Sequence, residues 1–131
     1  MINPTGRRIR NDSGGSGGYG SKRGARLHKG TDFFVIPGEK VFSPISGVVT
    51  RIANPYSGTK AYSGLVIRNS KITIKMFYLL PYTTIVGKEV TEGQDVGIAQ
   101  DISKYYPGQK MEAHIHLEVD HIDPMLLINL P

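Results

Sequence analysis

The residues best equipped for chemistry lie in two short stretches, Ala113-His114-Ile115-His116-Leu117-Glu118-Val119 and His28-Lys29-Gly30-Thr31-Asp32. In the first, a strand's period of two sends His114, His116 and Glu118 to one face and Ile115, Leu117 and Val119 to the other. Same-face neighbours on a strand lie about 6.5–7 Å apart, so one imidazole can ligate a metal while the other serves water in the metal's open position. The plainer reading of a bare H-x-H is two polar residues on a solvent-facing strand. The second stretch pairs a histidine with a carboxylate, a pair that also occurs as a turn cap or in solvent. Both are suitable zinc ligands, with bonds near 2.0–2.2 Å. With His116 they would supply three ligands and leave a position for water, the open geometry of a catalytic zinc. The chain contains no cysteine, which excludes disulfides, cysteine nucleophiles and thiolate zinc sites. A metal must therefore sit on His, Asp or Glu. Of the remaining candidates, His121 is expected to be exposed and non-ligating.

These side chains need strands to carry them. Residues 33–36, 47–53, 65–68, 71–80, 95–99 and 113–119 are rich in Val, Ile, Thr and aromatics, and Pro37-Gly38, Asn54-Pro55 and Pro107-Gly108 punctuate them. No helical periodicity is convincing before residues 124–130, which can form one short turn. The expectation is an all-β fold of antiparallel sheets, with short strands and long loops. Val41–Val49 and Val90–Gly97 each place valines around a glycine turn, like halves of a duplicated unit. That texture resembles the barrel-sandwich hybrid, which biotinyl and lipoyl carrier domains share with one family of zinc peptidases, so fold alone leaves function open.

At 131 residues and with 39% hydrophobic and 21% charged side chains, the chain reads as one ordinary globular domain. No apolar run approaches the ~18 residues of a membrane span, and Met1–Arg10 shows no Sec signal peptide. The net charge of +5 is local: residues 1–30 hold seven Lys/Arg against Asp12 alone, and the rest balance to within one charge. Residues 1–18, with Gly14-Gly15-Ser16-Gly17-Gly18, read as a flexible basic arm ahead of a domain over 19–131. Such an arm suits anionic polymers, by an attraction that falls with salt. A nucleic-acid role is the weaker reading.

Taken together, Tyr19-Gly20, Arg23, His28-x-Gly30-x-Asp32-Phe33 and Val41-x-Ser43-Pro44-x-x-Gly47-x-Val49 resemble the lysostaphin/LytM-type zinc metallopeptidases. The resemblance continues in order through Tyr62-x-Gly64-x-Val66-Ile67, Gly87-x-x-Val90-x-x-Gly93-Gln94-x-x-Gly97, His114-x-His116-Leu117-Glu118 and Asp123-Pro124. It implies zinc held by His28, Asp32 and His116, with His114 as a catalytic histidine. The implied reaction is hydrolysis of peptide cross-bridges or stem peptides in peptidoglycan.

One position departs from that pattern. Where the family has a second catalytic histidine on a central strand, this chain has Tyr78, within Lys75-Met76-Phe77-Tyr78, or, with loop slippage, Leu80 or Tyr82, and none of the three is histidine. That version, with Tyr106-Pro107-Gly108 ahead of the histidines, is similar to the leukocyte cell-derived chemotaxin branch, which is thought to lack peptidase activity. A protonated tyrosine can donate to an oxyanion but is a poor base. The alternative is therefore a zinc-containing binding module on the same fold. The expected setting is extracellular, periplasmic or a phage virion, as a monomer or part of a larger assembly.

Overall fold

The computed structural model describes residues 1–12, 15–23, 26–120 and 123–128, with backbone alone at 15, 22, 23, 26 and 27. His121 lies outside the described residues. Two short ladders open the chain: β1 (Asn11–Asp12) with β2 (Gly15–Ser16), and β3 (Lys22–Arg23) with β4 (Arg26–Leu27). The body is built from β5 (Thr31–Phe34), β6 (Lys40–Phe42), β7 (Gly47–Ala53), β8 (Gly64–Arg68), β9 (Thr73–Phe77), β10 (Leu79–Pro81), β11 (Glu89–Val90), β12 (Asp95–Ala99) and β13 (His114–Val119). These form a six-stranded sheet in the order β11-β7-β8-β9-β13-β5 and a three-stranded sheet in the order β10-β12-β6. Every ladder in both sheets is antiparallel. A single turn-length helix, α1 (Pro124–Ile128), follows β13.

The core comes from one alternation repeated on each strand. Phe33, Val41, Val49, Leu65, Ile67, Ile74, Met76, Leu79, Ile115, Leu117 and Val119 are all fully buried, while their odd-numbered or even-numbered neighbours face away. The two valine-and-glycine segments cross each other: β6 pairs with β12 and β7 with β11. Ser43 and its counterpart turn close the crossing, with Ser43 N–H donating to Gln94 O at 2.8 Å and Gly93 N–H to Ser43 O at 2.8 Å.

Two features differ from the sequence expectation. Residues 71–80 do not run as one strand. They break at Tyr78, whose φ of 75° is in the left-handed region that bulky residues rarely enter. The break ends β9 in the large sheet and starts β10 in the small one. The corner is held by Tyr78 N–H donating to Ser63 O at 2.7 Å and by Tyr78 O accepting from Gln100 N–H at 2.9 Å.

The second difference is the N-terminal segment. Its described residues lie along the domain instead of standing in solvent. Ile2 N–H donates to Pro44 O, Phe42 N–H to Pro4 O, Phe34 N–H to Arg8 O and Arg10 N–H to Asp32 O, at 2.8–3.0 Å. Composition reads only what a segment can bury by itself, whereas this one borrows the unpaired edge of β5. Its cations are also engaged: Arg7 forks onto Glu39 and Arg8 onto Glu112. Those charges are paired within the fold, and Arg10, the third cation of residues 1–18, is buried against Asp12 and Asp32, so the arm does not present the free positive charge that binding of anionic polymers would draw on.

Candidate metal centre

Strand register assembles the site. On β13, His116 stands opposite Asp32 of β5 on one side and Phe77 of β9 on the other. Since Phe33 and Ile115 face the core, Asp32, His114, His116 and Phe77 share the other face. That face is not open to solvent: Asp32 is 2% exposed, His114 3% and His116 9%. The solvent-facing reading of the H-x-H strand is thereby excluded. Gly30 lets the chain pass close beneath the ring of His116, because a Cβ there would sit 2.4 Å from Leu117 O and 2.8 Å from His116 Cε1.

Three donor atoms converge, all within 4.8 Å of one another. His116 Nδ1 lies 2.8 Å from Asp32 Oδ1, His28 Nε2 lies 3.2 Å from the same oxygen, and the two ring nitrogens are 3.0 Å apart. The opposite nitrogen of each ring has an acceptor. His28 Nδ1 is 3.1 Å from Gly18 O, and His116 Nε2 is 3.0 Å from Glu118 Oε1. Placing protons on those outer nitrogens leaves two lone pairs and a carboxylate oxygen pointing at one another, an arrangement that calls for a cation.

Without a metal, a proton takes that place. Burial opposes charge on His116, but its hydrogen bonds with Asp32 and Glu118 prevail and push its pKa up to about 9. Burial would raise Asp32 in turn, yet hydrogen bonds from His116 and His28 hold its carboxyl well below the usual carboxylate range.

His114 is set apart from this triangle. Its Nδ1 lies 2.8 Å from Glu112 O, so Nδ1 carries the proton and Nε2 is free, 3.6 Å from Asp32 Oδ2. Burial lowers its pKa, against the pull of Asp32, leaving a neutral ring able to accept a proton. The Tyr78 ring stands edge-on to it, centroids 5.3 Å apart. Strict alternation after Met76 and Phe77 would turn Tyr78 into the core, and the left-handed corner keeps it on the histidine face.

Sequence reasoning overlooked what surrounds Tyr78. Tyr56 OH lies 3.2 Å from Tyr78 OH and 2.9 Å from Tyr106 OH. Tyr105, on the 3₁₀ turn Ile102–Tyr105, stacks on Tyr56 with centroids 4.5 Å apart, and Tyr62 meets Tyr78 edge-on. These residues come from two connections, Tyr56 and Tyr62 between β7 and β8 and Tyr105 and Tyr106 between β12 and β13; Tyr62 and Tyr106 stand in motifs quoted above, but only their shared type hinted at an association. Tyr56 has one proton for two hydroxyl neighbours. When it donates to Tyr78, the proton of Tyr78 is free to point into the site. Burial pushes the Tyr78 hydroxyl up to about 12, so it stays a donor.

Arg10 was overlooked as well. It is 2% exposed and its Nη1 donates to Asp32 Oδ2 at 3.0 Å. Among the residues singled out from sequence, the fold thus gathers His28, Asp32, His114, His116 and Tyr78 in one place.

A family model, that of peptidase family M23, matches residues 26–125. The chain belongs to peptidase family M23. Solved peptidase structures carry the same fold. The catalytic domain of the antimicrobial peptidase lysostaphin from Staphylococcus simulans is 23% identical with a TM-score of 0.65, the match covering 86% of this chain and 90% of that one. A catalytic-domain mutant of the prophage-encoded M23 protein EnpA from Enterococcus faecalis is 17% identical at TM-score 0.61, covering 91% and 85%. A zinc-containing peptidase from Vibrio cholerae is 24% identical at TM-score 0.60, covering 88% of this chain and 35% of that one. At these identities the likeness is one of fold. No curated protein matches the chain. The M23 match spans all five gathered residues but leaves Arg10 outside it.

Proposed function

We propose that this M23 domain is a zinc-dependent endopeptidase acting on the peptide cross-bridges or stem peptides of peptidoglycan, outside the cell, in the periplasm or on a phage particle. The observation that carries the reading is the triangle of His28 Nε2, Asp32 Oδ1 and His116 Nδ1, whose edges are 2.8–3.2 Å. Ligands on one tetrahedral zinc lie roughly 3.3–3.6 Å apart, so the donors fit that ion after a small opening. Two nitrogens and one oxygen are also the donor set of hydrolytic zinc sites.

His28, Asp32 and His116 would hold the zinc, which would lower the pKa of a water molecule and polarise a scissile carbonyl. His114 Nε2 takes the proton from the attacking water and returns it to the departing amine. The water oxygen bonds to the carbonyl carbon, and the carbon–nitrogen bond breaks. Tyr78 donates its hydroxyl to the oxygen that becomes negative. Glu118 and the Gly18 carbonyl hold the rings of His116 and His28 in the tautomers that ligation requires.

A second reading, a zinc-holding module that binds wall peptides without cutting them, is favoured by Tyr78 standing where the family has a histidine. Purified peptidoglycan separates the two. A peptidase releases new amino groups, and release stops on chelation and in His114→Ala. A zinc-loaded wild type that releases none from any wall preparation would reject the peptidase reading in favour of the binding module.

A further inference from the structure

The two oxygens of Asp32 have different company. Oδ1 faces His28 and His116, at 3.2 and 2.8 Å. Oδ2 faces the guanidinium of Arg10, at 3.0 Å from Nη1. The other edge of that guanidinium is taken by Asp12, with Nε at 2.9 Å from Oδ2 and Nη2 at 3.3 Å from Oδ1. Asp12 is anchored in turn, because Oδ2 accepts from Glu112 N–H at 2.7 Å. The Glu112 carbonyl is the partner of His114 Nδ1. One planar fork therefore links the carboxylate of β5 to the start of β13.

The backbone reinforces this placement. Arg10 N–H donates to Asp32 O at 2.8 Å, Gly17 N–H to Arg10 O at 2.7 Å, and Asp32 N–H to Gly17 O at 2.7 Å. A Cβ on Gly17 would lie 2.7–2.9 Å from atoms of Asp32 and Arg10, so only glycine lets the three segments close together.

We propose that Arg10 is a positioning residue for the metal-ligating carboxylate: by holding Asp32 Oδ2 it presents Oδ1, in a fixed rotamer, to the ion shared with His28 and His116. The inference rests on the metal site of the proposed function, not on peptide cleavage. It also makes the segment upstream of the M23 match a part of the site. A guanidinium acting only as a nearby positive charge would repel a bound cation, so the two roles predict opposite signs.

The test is zinc affinity of the full chain, by competition with a chromophoric chelator. Arg10→Met should raise the zinc Kd by about 10–100-fold, the usual effect of losing a group that orients a ligand. Arg10→Lys keeps the charge but cannot fork between Asp32 and Asp12, and it should raise the Kd as well, by a smaller factor. The visible d–d absorption of the cobalt-loaded protein should change in Arg10→Met, because a released Oδ2 alters how the carboxylate ligates; simple destabilisation leaves that spectrum alone. Should Arg10→Met fail to fold, Arg10→Lys and Asp12→Asn, which unpins the fork, decide by the same comparison. An unchanged or lowered Kd in the folded variants, with an unchanged cobalt spectrum, would overturn the proposal. A wild type that takes up no zinc would overturn the metal site itself, whereas a zinc-loaded wild type that cleaves nothing leaves this comparison intact.

Discussion

His116 Nδ1 lies 2.8 Å from Asp32 Oδ1, and in the metal-free protein a proton joins them. With the His116 pKa at about 9 in the fold and near 6.5 in the unfolded chain, the pair's contribution to stability is complete below about pH 6.5. It is lost as pH rises through 9. Asp32, held low, contributes in the opposite sense: its part is present at neutral pH and lost in acid. The Tm of chelator-treated protein should therefore fall between pH 6.5 and 9.5, while zinc affinity rises over the same interval because less proton must be displaced. Tyr78 makes a separate prediction. As an oxyanion donor its loss in Tyr78→Phe should lower kcat by about 100–1,000-fold with zinc content unchanged. With its pKa at about 12, no alkaline limb from this group should enter the rate profile below about pH 11. An unchanged rate in Tyr78→Phe would leave the ring as packing.

β13 shows how one element serves stability and chemistry together. Ile115, Leu117 and Val119 are fully buried in the core, and the same pleat sets His114 and His116 on the site face. Leu117→Ala should cost about 2–5 kcal/mol in denaturant unfolding. At Gly30, where a Cβ would meet Leu117 O at 2.4 Å and His116 Cε1 at 2.8 Å, Gly30→Ala must push β13 or the His116 ring aside. Its expected signature is a weaker zinc Kd beyond what lowered stability accounts for, read by chelator competition under conditions where the variant is fully folded. The Tyr78 corner belongs to this scale too. A left-handed non-glycine residue costs of order 1–3 kcal/mol, and here it aims a hydroxyl at His114's side of the sheet.

Across the whole molecule, the N-terminal segment closes the open edge of β5 and brings Arg10 to the site. Deleting residues 1–9 removes the backbone hydrogen bonds to Pro44, from Phe42 and from Phe34, each worth about 0.5–1.5 kcal/mol net. It also uncovers the edge of β5. The truncated protein should melt lower and self-associate more readily, as seen by calorimetry and light scattering. An unchanged Tm would show that the segment adds nothing to the fold.

Local periodicity and turn chemistry are short-range properties, and they determined the all-β class, the two faces of 113–119 and the short terminal helix. The histidines and aspartate were legible as candidate ligands because metal chemistry restricts the residue types that can serve and because their spacing resembles a known family's. What covers that face was decided only by tertiary structure. An alternating strand states which side chains share a side, but not whether water or another segment lies against them. Arg10 reaches Asp32 because β5 has a free edge, and the tyrosines meet because loops from distant parts of the chain converge where Tyr78 turns the corner between sheets. Those outcomes depend on register and on the sum of core packing, which no local window contains.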